Sequence, residues 1–250
     1  MASNPPGQCC VKGMKHEGEP TGQSLKVDGY DAYLATAHGS KAHEGAALLL
    51  LTDVIGIWQN SKLVADQYAK YGYTTLIIDI FNGDALTLNR PDNFDFFSWL
   101  KGGSTGDNPH TSDAIDPIVK CAVRYLKEVK GATAIGAAGY CFGAKYAVRH
   151  SPGIKVAFIA HPSFVEEEEL QSFQGPLSVA AAEKDDIFPA EKRHLSEEIL
   201  AKKGLPYQMS LYSQVEHGFG LRADHTKKIN RFAKEQAFYQ AIAWFDAWLV

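Results

Sequence analysis

The pentapeptide Gly139-Tyr140-Cys141-Phe142-Gly143 lies between a short apolar segment and a segment of helical character. The preceding residues 133–138 predict a buried strand, and residues 144–150 predict a helix. A turn of the form G-x-nucleophile-x-G forces its middle residue into a strained backbone conformation, and the glycines let strand and helix approach closely. The motif therefore predicts that the Cys141 thiol stands at the carboxyl end of a sheet, near a helix N-terminus that favours negative charge.

Two further polar segments follow strand-like runs later in the chain. Asp185 and Asp186 come after residues 177–180, and His217 comes after residues 208–212. Nucleophile, acid and histidine is the chain order of the α/β-hydrolase triad, in which each member follows a strand. The residues alone leave open which of the two aspartates orients the imidazole.

The spacing of the apolar runs predicts the fold class. Strands that are apolar on both faces and separated by helices indicate a mostly parallel sheet with helices on both faces. The triad order described above is that of the α/β-hydrolase fold. Residues 24–34 alternate around Asp28-Gly29, which predicts an N-terminal antiparallel hairpin. No repeat or linker divides the chain, so we expect residues 1–250 to form one domain. The predicted strands are residues 46–52, 74–79, 133–138, 156–160, 177–180 and 208–212, and the predicted helices are residues 60–71, 113–130, 144–150, 190–203 and 229–249.

Charge and hydropathy argue against several function classes. The formal net charge of −4 gives no electrostatic argument for binding nucleic acid or an anionic membrane. No apolar run approaches the roughly 18–20 residues of a membrane helix. Residues 1–7 lack the charged and apolar regions of a signal peptide. We therefore expect a cytoplasmic monomer or homodimer that acts on a small molecule.

Four cysteines in 250 residues do not make a disulfide framework. C-x-x-C spacing is missing, so the sequence gives little support for a metal or redox centre, and we expect no metal and no cofactor. Cys121 falls in an amphipathic helical pattern and is expected in the core. The adjacent Cys9 and Cys10 are interpreted as structural or merely tolerated.

Three features leave more than one interpretation open. Residues 81–112 form a long irregular stretch that carries Phe94, Phe96, Phe97 and Trp99, and a long loop in a compact domain is usually functional. This loop either covers part of a substrate cleft or is held on the body by its aromatic residues. His161 ends another predicted strand and either faces the cleft or hydrogen-bonds the loop beneath it. The four carboxylates of residues 166–169 favour a solvated helix start over a metal site.

With this order of strand, cysteine turn, aspartate loop and histidine loop, the sequence resembles the dienelactone hydrolase family of α/β-hydrolases. The likeness is closest to the fungal branch of the family and extends over nearly the whole chain. It rests on residues 52–56, 79–84, 139–143 and 185–189 and on His217-Gly218-Phe219 with Arg222.

The resemblance and the chemistry of the residues imply the same roles. Cys141 would attack the ester or lactone carbonyl to form an acyl-enzyme, and His217 would deprotonate the thiol and later activate water. The family pattern places the acid four residues before the proline, which selects Asp185. The backbone N–H groups of Val54 and Phe142 would form the oxyanion hole.

The chain departs from the family pattern at the thiol and at the substrate. Bacterial members carry a glutamate that partners the resting thiol; here Asp53 occupies that position and either tunes the thiol or shapes the turn. Bacterial members also hold a substrate carboxylate with two arginines. Arg222 lies one residue from one of these positions, and Arg90 is the nearest substitute for the other. Tyr140 and Trp99 are further expected substrate contacts.

The sequence thus predicts a thiol-dependent hydrolase of a carboxylic ester or lactone, with an enol-lactone or a small activated ester as substrate. An acyl transferase that uses the same acyl-cysteine with an acceptor other than water is one alternative. A non-catalytic member of the fold that binds a ligand is another; such proteins typically lose a triad residue, whereas this chain has all three.

Overall fold

In the computed structural model, which describes residues 1–91 and 93–250, eight strands form one sheet. The strands are β1 (Gln23–Val27), β2 (Tyr30–Ala35), β3 (Ala46–Leu51), β4 (Thr74–Ile78), β5 (Ala134–Tyr140), β6 (Val156–Ala160), β7 (Leu177–Lys184) and β8 (Tyr207–Glu216). The bounds of β1 to β6 lie within two residues of the predicted runs, whereas β7 and β8 extend four residues beyond them.

The strand order is β1-β2-β4-β3-β5-β6-β7-β8. β1 and β2 form an antiparallel hairpin, and β2 also runs antiparallel to β4. The remaining neighbouring pairs are parallel. The predicted fold, a mostly parallel sheet with an N-terminal antiparallel hairpin, is therefore confirmed.

Helices cover both faces of the sheet because successive strand residues point to opposite sides. In β3, Leu49 and Leu51 belong to one apolar cluster and Leu48 and Leu50 to the other. None of the helices within residues 1–91 and 93–250 has the length and apolar character needed to cross a membrane. The helices are α1 (Gln59–Lys70), α2 (Phe96–Gly102), α3 (Ser112–Glu128), α4 (Gly143–Arg149), α5 (Glu167–Ser172), α6 (Ala190–Lys203), α7 (Phe219–Arg222) and α8 (Lys228–Trp248).

The two apolar clusters assign the helices to their faces. Residues of α3, α4 and α6 pack with Leu49 and Leu51, whereas residues of α1 and α8 pack with Leu48 and Leu50. Cys141 belongs to the first cluster. The nucleophile candidate therefore lies on the face covered by α3, α4 and α6.

The long stretch 81–112 contains helix α2, although the sequence predicted irregular structure there. Asp95 caps this helix, because its carboxylate accepts hydrogen bonds from the N–H groups of Phe97 and Ser98, each at 3.0 Å. Trp99 is buried, its indole N–H donates to the Asp84 carbonyl oxygen at 3.2 Å, and its ring centroid lies 4.4 Å from that of His110. These contacts favour the interpretation in which aromatic side chains hold the loop on the body.

Residues 166–169 do start a helix, but they are not all solvated. The Glu166 N–H donates to the Glu169 carboxylate at 2.9 Å. Glu169 is buried and pairs with Lys145 at 2.8 Å and with Arg149 at 3.0 Å. The expected helix start is therefore present, and the buried Glu169 joins α5 to α4.

β7 and β8 run to Lys184 and Glu216, four residues beyond the predicted ends. Their pairing becomes irregular between Ala182 and Lys184. The extensions mix the buried Ala181, Ala182 and Val215 with exposed polar residues, so they lack the continuous apolar run on which the strand predictions relied. As a result, Asp185 and His217 each directly follow a strand.

Close backbone packing fixes the turn between β5 and α4. Cys141 has a φ of 52°, a region that side-chain-bearing residues rarely adopt. A Cβ atom at Gly139 would lie 2.7 Å from the Cα of Ala144, and one at Gly143 would lie 2.7 Å from the Thr52 carbonyl oxygen. Both flanking positions thus require glycine, and Gly143 brings the end of β3 against the turn.

We predict that Gly143→Ala lowers the free energy of unfolding by more than about 2 kcal/mol, because the added methyl overpacks against fixed backbone. Gly102→Ala is the matched control, since a Cβ there meets nothing within 4 Å and the residue ends helix α2. Its expected effect is within about 1 kcal/mol of zero. Urea unfolding compares the two variants, and equal stabilities would contradict the packing argument.

Candidate active site

Cys141, His217 and Asp185 form a hydrogen-bonded chain in which each residue follows a different strand. The Cys141 Sγ lies 3.1 Å from the His217 Nε2. The Nδ1 of the same ring lies 2.9 Å from Asp185 Oδ2 and 3.0 Å from Oδ1. Because an ionised carboxylate only accepts, Nδ1 carries the proton and Nε2 is left to exchange one with the thiol.

Asp185, and not its neighbour Asp186, contacts the imidazole. Asp185 is buried, and its Oδ1 also accepts hydrogen bonds from the N–H groups of Ile187 at 2.8 Å and Phe188 at 3.0 Å. Burial alone would raise the pKa of Asp185, but the charge and hydrogen bond of His217 and the Phe188 N–H lower it below its usual range. Asp186 is exposed.

The surroundings of the two reactive groups favour a thiolate–imidazolium pair. Burial raises the pKa of Cys141, but a hydrogen bond from Cys10 and the charge of His217 lower it well below the ordinary thiol value. Burial lowers the pKa of His217, but the charges of Asp185 and Cys141 raise it well above its ordinary value. The thiolate is the nucleophilic form of cysteine, so the site holds Cys141 in its reactive state.

Two backbone N–H groups lie beside the turn. Phe142 directly follows Cys141, and Val54 lies just beyond the end of β3, which is joined to the turn by the 2.9 Å hydrogen bond from the Gly143 N–H to the Thr52 carbonyl. Within the part of the chain that the structure describes, neither the Val54 nor the Phe142 N–H donates to a protein acceptor. Both remain available to bind a developing oxyanion.

Cys10 is a site residue that the sequence analysis missed. It lies in a short 3₁₀ turn, Gln8–Val11, and is fully buried. Its Sγ is 3.4 Å from the His217 Nε2, the nitrogen that also contacts Cys141. Cys10 is therefore a residue of the site and is not merely tolerated. The one available signal was the pair of adjacent cysteines, and nothing local in the sequence connects residue 10 with residues 141 and 217.

Asp53 and Arg222 form a buried ion pair next to the thiol. Asp53 Oδ2 accepts a hydrogen bond from the Arg222 guanidinium, and Oδ1 accepts one from the Ile55 N–H at 3.0 Å. Burial and the nearby Cys141 charge raise the pKa of Asp53 above its usual value, although the Arg222 guanidinium partly offsets this. Asp53 therefore shapes its own turn and also adds to the electrostatic field at the thiol.

Arg222 is held by other groups of the protein, so its expected role as a substrate anchor would require one of these contacts to break. It is buried, its Nε donates to the Lys12 carbonyl at 3.0 Å, and a terminal nitrogen donates to the Cys9 carbonyl at 3.4 Å. With Asp53, these partners occupy all three guanidinium nitrogens. The sequence pattern located Arg222 correctly beside the site but could not show which groups it binds.

The position of Tyr140 does not fit its predicted substrate contact. Its hydroxyl lies 2.9 Å from the Tyr68 hydroxyl, in the apolar cluster on the opposite face of the sheet from Cys141. Tyr140 is the last residue of β5, and neighbouring strand residues point to opposite faces. The one-residue offset from Cys141 therefore places Tyr140 in the core.

Arg90 and Trp99, the other two expected substrate contacts, have partners elsewhere. The Arg90 guanidinium carbon lies 4.2 Å from the ring centroid of Phe94. Trp99 is buried in the loop anchor described above. Among the described residues, neither side chain has a hydrogen bond or ring contact with Cys141 or His217.

His161 lies on the inner side of the site, which favours the first of the two interpretations of this residue. It is fully buried with a φ of 38°, and its ring centroid lies 5.0 Å from that of His217. Within the described part of the chain, neither of its ring nitrogens has a hydrogen-bond partner. Burial lowers the pKa of His161 to about 4, so the ring is neutral at pH 7.

We predict that Arg222→Met destabilises the protein by about 3–5 kcal/mol, because it leaves the Asp53 carboxylate buried without a partner. The double variant Asp53→Leu/Arg222→Met removes both charges and should recover most of this loss. Urea unfolding of the single and double variants gives the coupling energy. Additive losses would show that the two residues do not act as a pair.

We also predict that Cys141 reacts with iodoacetamide at lower pH than Cys121. Its lowered pKa keeps the thiolate fraction high as the pH falls, whereas burial and Asp28 raise the pKa of Cys121 to about 11. Between about pH 8 and pH 6 the Cys121 rate should fall roughly tenfold per unit, and the Cys141 rate should fall much less. Peptide mapping in a Cys9→Ser background measures both rates.

In this assay Cys10→Ala should shift the Cys141 profile to higher pH, because the thiolate loses a hydrogen-bond donor. A Cys141 rate that falls in parallel with that of Cys121 would contradict the assigned ionisation.

Comparison with known proteins identifies the family. The dienelactone hydrolase family profile matches residues 30–249. Hydrolase tropI of Talaromyces stipitatus is 44% identical over 100% of this chain and 99% of its own length. Dienlactone hydrolase 1 of Gibberella moniliformis is 36% identical over 100% of this chain and 96% of its own length. The crystal structure of dienelactone hydrolase from Anabaena variabilis has a TM-score of 0.65 at 13% identity, over 94% of this chain and 100% of that chain. The chain belongs to the dienelactone hydrolase family.

Proposed function

We propose that this protein hydrolyses a carboxylic ester or lactone through an acyl-cysteine formed on Cys141. The observation that carries the proposal is the 3.1 Å contact between the Cys141 Sγ and His217 Nε2, continued to Asp185 at 2.9 Å. A nucleophile, a base and a group that orients the base are the parts that acyl transfer requires. Membership of the dienelactone hydrolase family supports the reaction class.

In the acylation half-reaction the Cys141 thiolate attacks the carbonyl carbon of the substrate. The electron pair of the carbonyl bond moves to oxygen, and the N–H groups of Phe142 and Val54 bind the resulting oxyanion. One such donor contributes about 3–4 kcal/mol to lowering the barrier. The intermediate collapses as the imidazolium of His217 gives its proton to the departing alkoxide. In a lactone this oxygen stays within the acyl group as a free hydroxyl.

In the deacylation half-reaction the neutral His217 takes a proton from water as the water oxygen attacks the thioester. Asp185 holds Nδ1 and stabilises the imidazolium that forms. Collapse of the second tetrahedral intermediate releases the carboxylic acid and returns the Cys141 thiolate. Cys141 is fully buried, and Cys10 from the turn Gln8–Val11 forms part of its cover, so substrate entry requires part of this cover to move.

The partners of the two arginines support an uncharged substrate. Arg222 is neutralised by Asp53, and Arg90 stacks on Phe94. Binding a substrate carboxylate would require breaking one of these contacts. We therefore propose a neutral small ester or lactone as the substrate. A cytoplasmic location, a single domain and a monomeric or homodimeric state remain expectations from the sequence.

We predict that Cys141→Ala lowers kcat/KM for small aryl esters and neutral unsaturated lactones by at least about 10⁴-fold, because the nucleophile is lost. Cys141→Ser should lose at least about a hundredfold, since a site tuned for a thiolate deprotonates a hydroxyl poorly. Cys121→Ser, on helix α3, should retain the wild-type rate. Steady-state hydrolysis with neutral and carboxylate-bearing lactones measures both the variants and the charge preference.

A Cys141→Ala variant that is as active as wild type would refute the acyl-cysteine. A clear preference for the carboxylate-bearing lactones would refute the neutral substrate while leaving the acyl-cysteine intact.

A further inference from the structure

Three potential metal ligands from distant parts of the chain meet at the site. The His217 Nε2 lies 3.1 Å from the Cys141 Sγ and 3.4 Å from the Cys10 Sγ, and all three atoms lie within 4.8 Å of one another. All three side chains are buried. Cys10 lies outside residues 30–249, the part of the chain that matches the family profile, and reaches the site from the N-terminal segment.

The spacing of these atoms suits a tetrahedral zinc ion. With Zn–S distances near 2.3 Å and Zn–N distances near 2.0–2.1 Å, ligand atoms in a tetrahedral site lie about 3.5–4 Å apart. The two measured sulfur–nitrogen separations are slightly shorter, so a small outward movement of each side chain would admit the ion. Two thiolates and an imidazole are also a soft ligand set that favours Zn²⁺ over Mg²⁺ or Ca²⁺.

His217 is oriented as a metal-binding histidine is. Its Nδ1 donates to the Asp185 carboxylate, which fixes the tautomer and leaves the Nε2 lone pair facing the two sulfurs. A carboxylate behind the histidine raises the basicity of the ligand and holds the ring in place. Asp185 is in turn held by the N–H groups of Ile187 and Phe188. The hydrogen bonds that orient a metal-binding histidine are therefore already present.

His161 lies beside the cluster but does not belong to it. It is fully buried next to His217, yet its ring nitrogens are not among the ligand atoms that lie within 4.8 Å of one another. Its Nε2 lies beside Gly220, where an added Cβ would be 3.1 Å away. The fourth position of a tetrahedral site is therefore left to solvent.

We propose that Cys10, Cys141 and His217 bind one thiophilic divalent cation such as Zn²⁺, with a solvent molecule as fourth ligand, and that the metal-bound protein is inactive. On binding, Cys141 contributes its thiolate, and the Cys10 thiol and the Nε2 of the imidazolium release their protons to solvent. The lone pairs that would attack the substrate and accept the proton are then both directed at the metal. The metal site and the hydrolytic site are thus two mutually exclusive uses of the same atoms.

Equilibrium metal binding tests this proposal without relying on turnover. Chelator-treated, reduced protein is titrated with Zn²⁺ against a chromophoric chelator and, in parallel, with Co²⁺. We expect one equivalent to bind, thiolate-to-cobalt charge-transfer absorption to appear, and Zn²⁺ to protect Cys141 from iodoacetamide. Zn²⁺ should also inhibit ester hydrolysis, and a chelator should restore it. If neither the metal-free nor the metal-bound protein hydrolyses esters, the proposed function is refuted, but the binding result still stands.

Variants identify the ligands. Cys10→Ser should weaken Zn²⁺ binding by at least about 100-fold, because losing even an outer-shell partner costs about 10–100-fold. Cys121→Ser is the matched control and should bind as wild type does. Circular dichroism checks that each variant is folded.

Equal Zn²⁺ affinity in wild type and Cys10→Ser would overturn the proposal. So would binding that leaves Cys141 open to iodoacetamide, or a cobalt complex without thiolate charge transfer. If Cys10→Ser does not fold, the wild-type cobalt spectrum and the protection of Cys141 decide the question by themselves.

Discussion

The buried ion pair between Asp53 and Arg222 joins the three segments from which the site is built. Asp53 follows β3, Arg222 ends helix α7 just after His217, and the same guanidinium binds backbone carbonyls of the N-terminal segment. A buried charge costs several kcal/mol when its partner is lost. The N-terminal segment, the end of β3 and the histidine loop are therefore held together beside Cys141.

Electrostatics then determine the state of the nucleophile. The negative charge of Asp185 and the proton on His217 hold Cys141 as a thiolate in a site closed to solvent. The Cys10 thiol is a further donor to that thiolate. An arrangement that makes a sulfur nucleophilic also makes it a good ligand for soft metals. Hydrolysis and metal binding are in this account two consequences of one charge distribution.

The sequence predicted the features that depend on local order. The strand, glycine turn and helix around Cys141, the edge hairpin and most element bounds follow from periodicity and turn chemistry. Helix α2 was missed although Asp95 offers a readable cap, because the aspartate-rich and glycine-rich surroundings suggested a loop. The placement of Asp185 and His217 after strands was also accessible, because each follows an apolar run.

Contacts between distant parts of the chain could not be predicted in the same way. Cys10 meets His217 across 207 positions, and Arg222 meets Asp53 across 169. Such pairs depend on how the folded chain brings distant segments together, which no local pattern encodes. Tyr140 was misplaced for a simpler reason. It is next to Cys141 in sequence, but the alternation of side chains along a strand directs it to the opposite face of the sheet.

Trapping of the acyl-enzyme tests the central claim most directly. A slowly hydrolysed aryl ester is mixed with the protein, the reaction is quenched in acid, and intact-mass and peptide measurements locate the adduct. The account predicts one acyl group per chain, on the peptide that contains Cys141, which disappears as the acid product forms and persists when His217 is replaced by alanine. Turnover with no adduct on Cys141, or with the adduct on Cys9 or Cys10 alone, would contradict it.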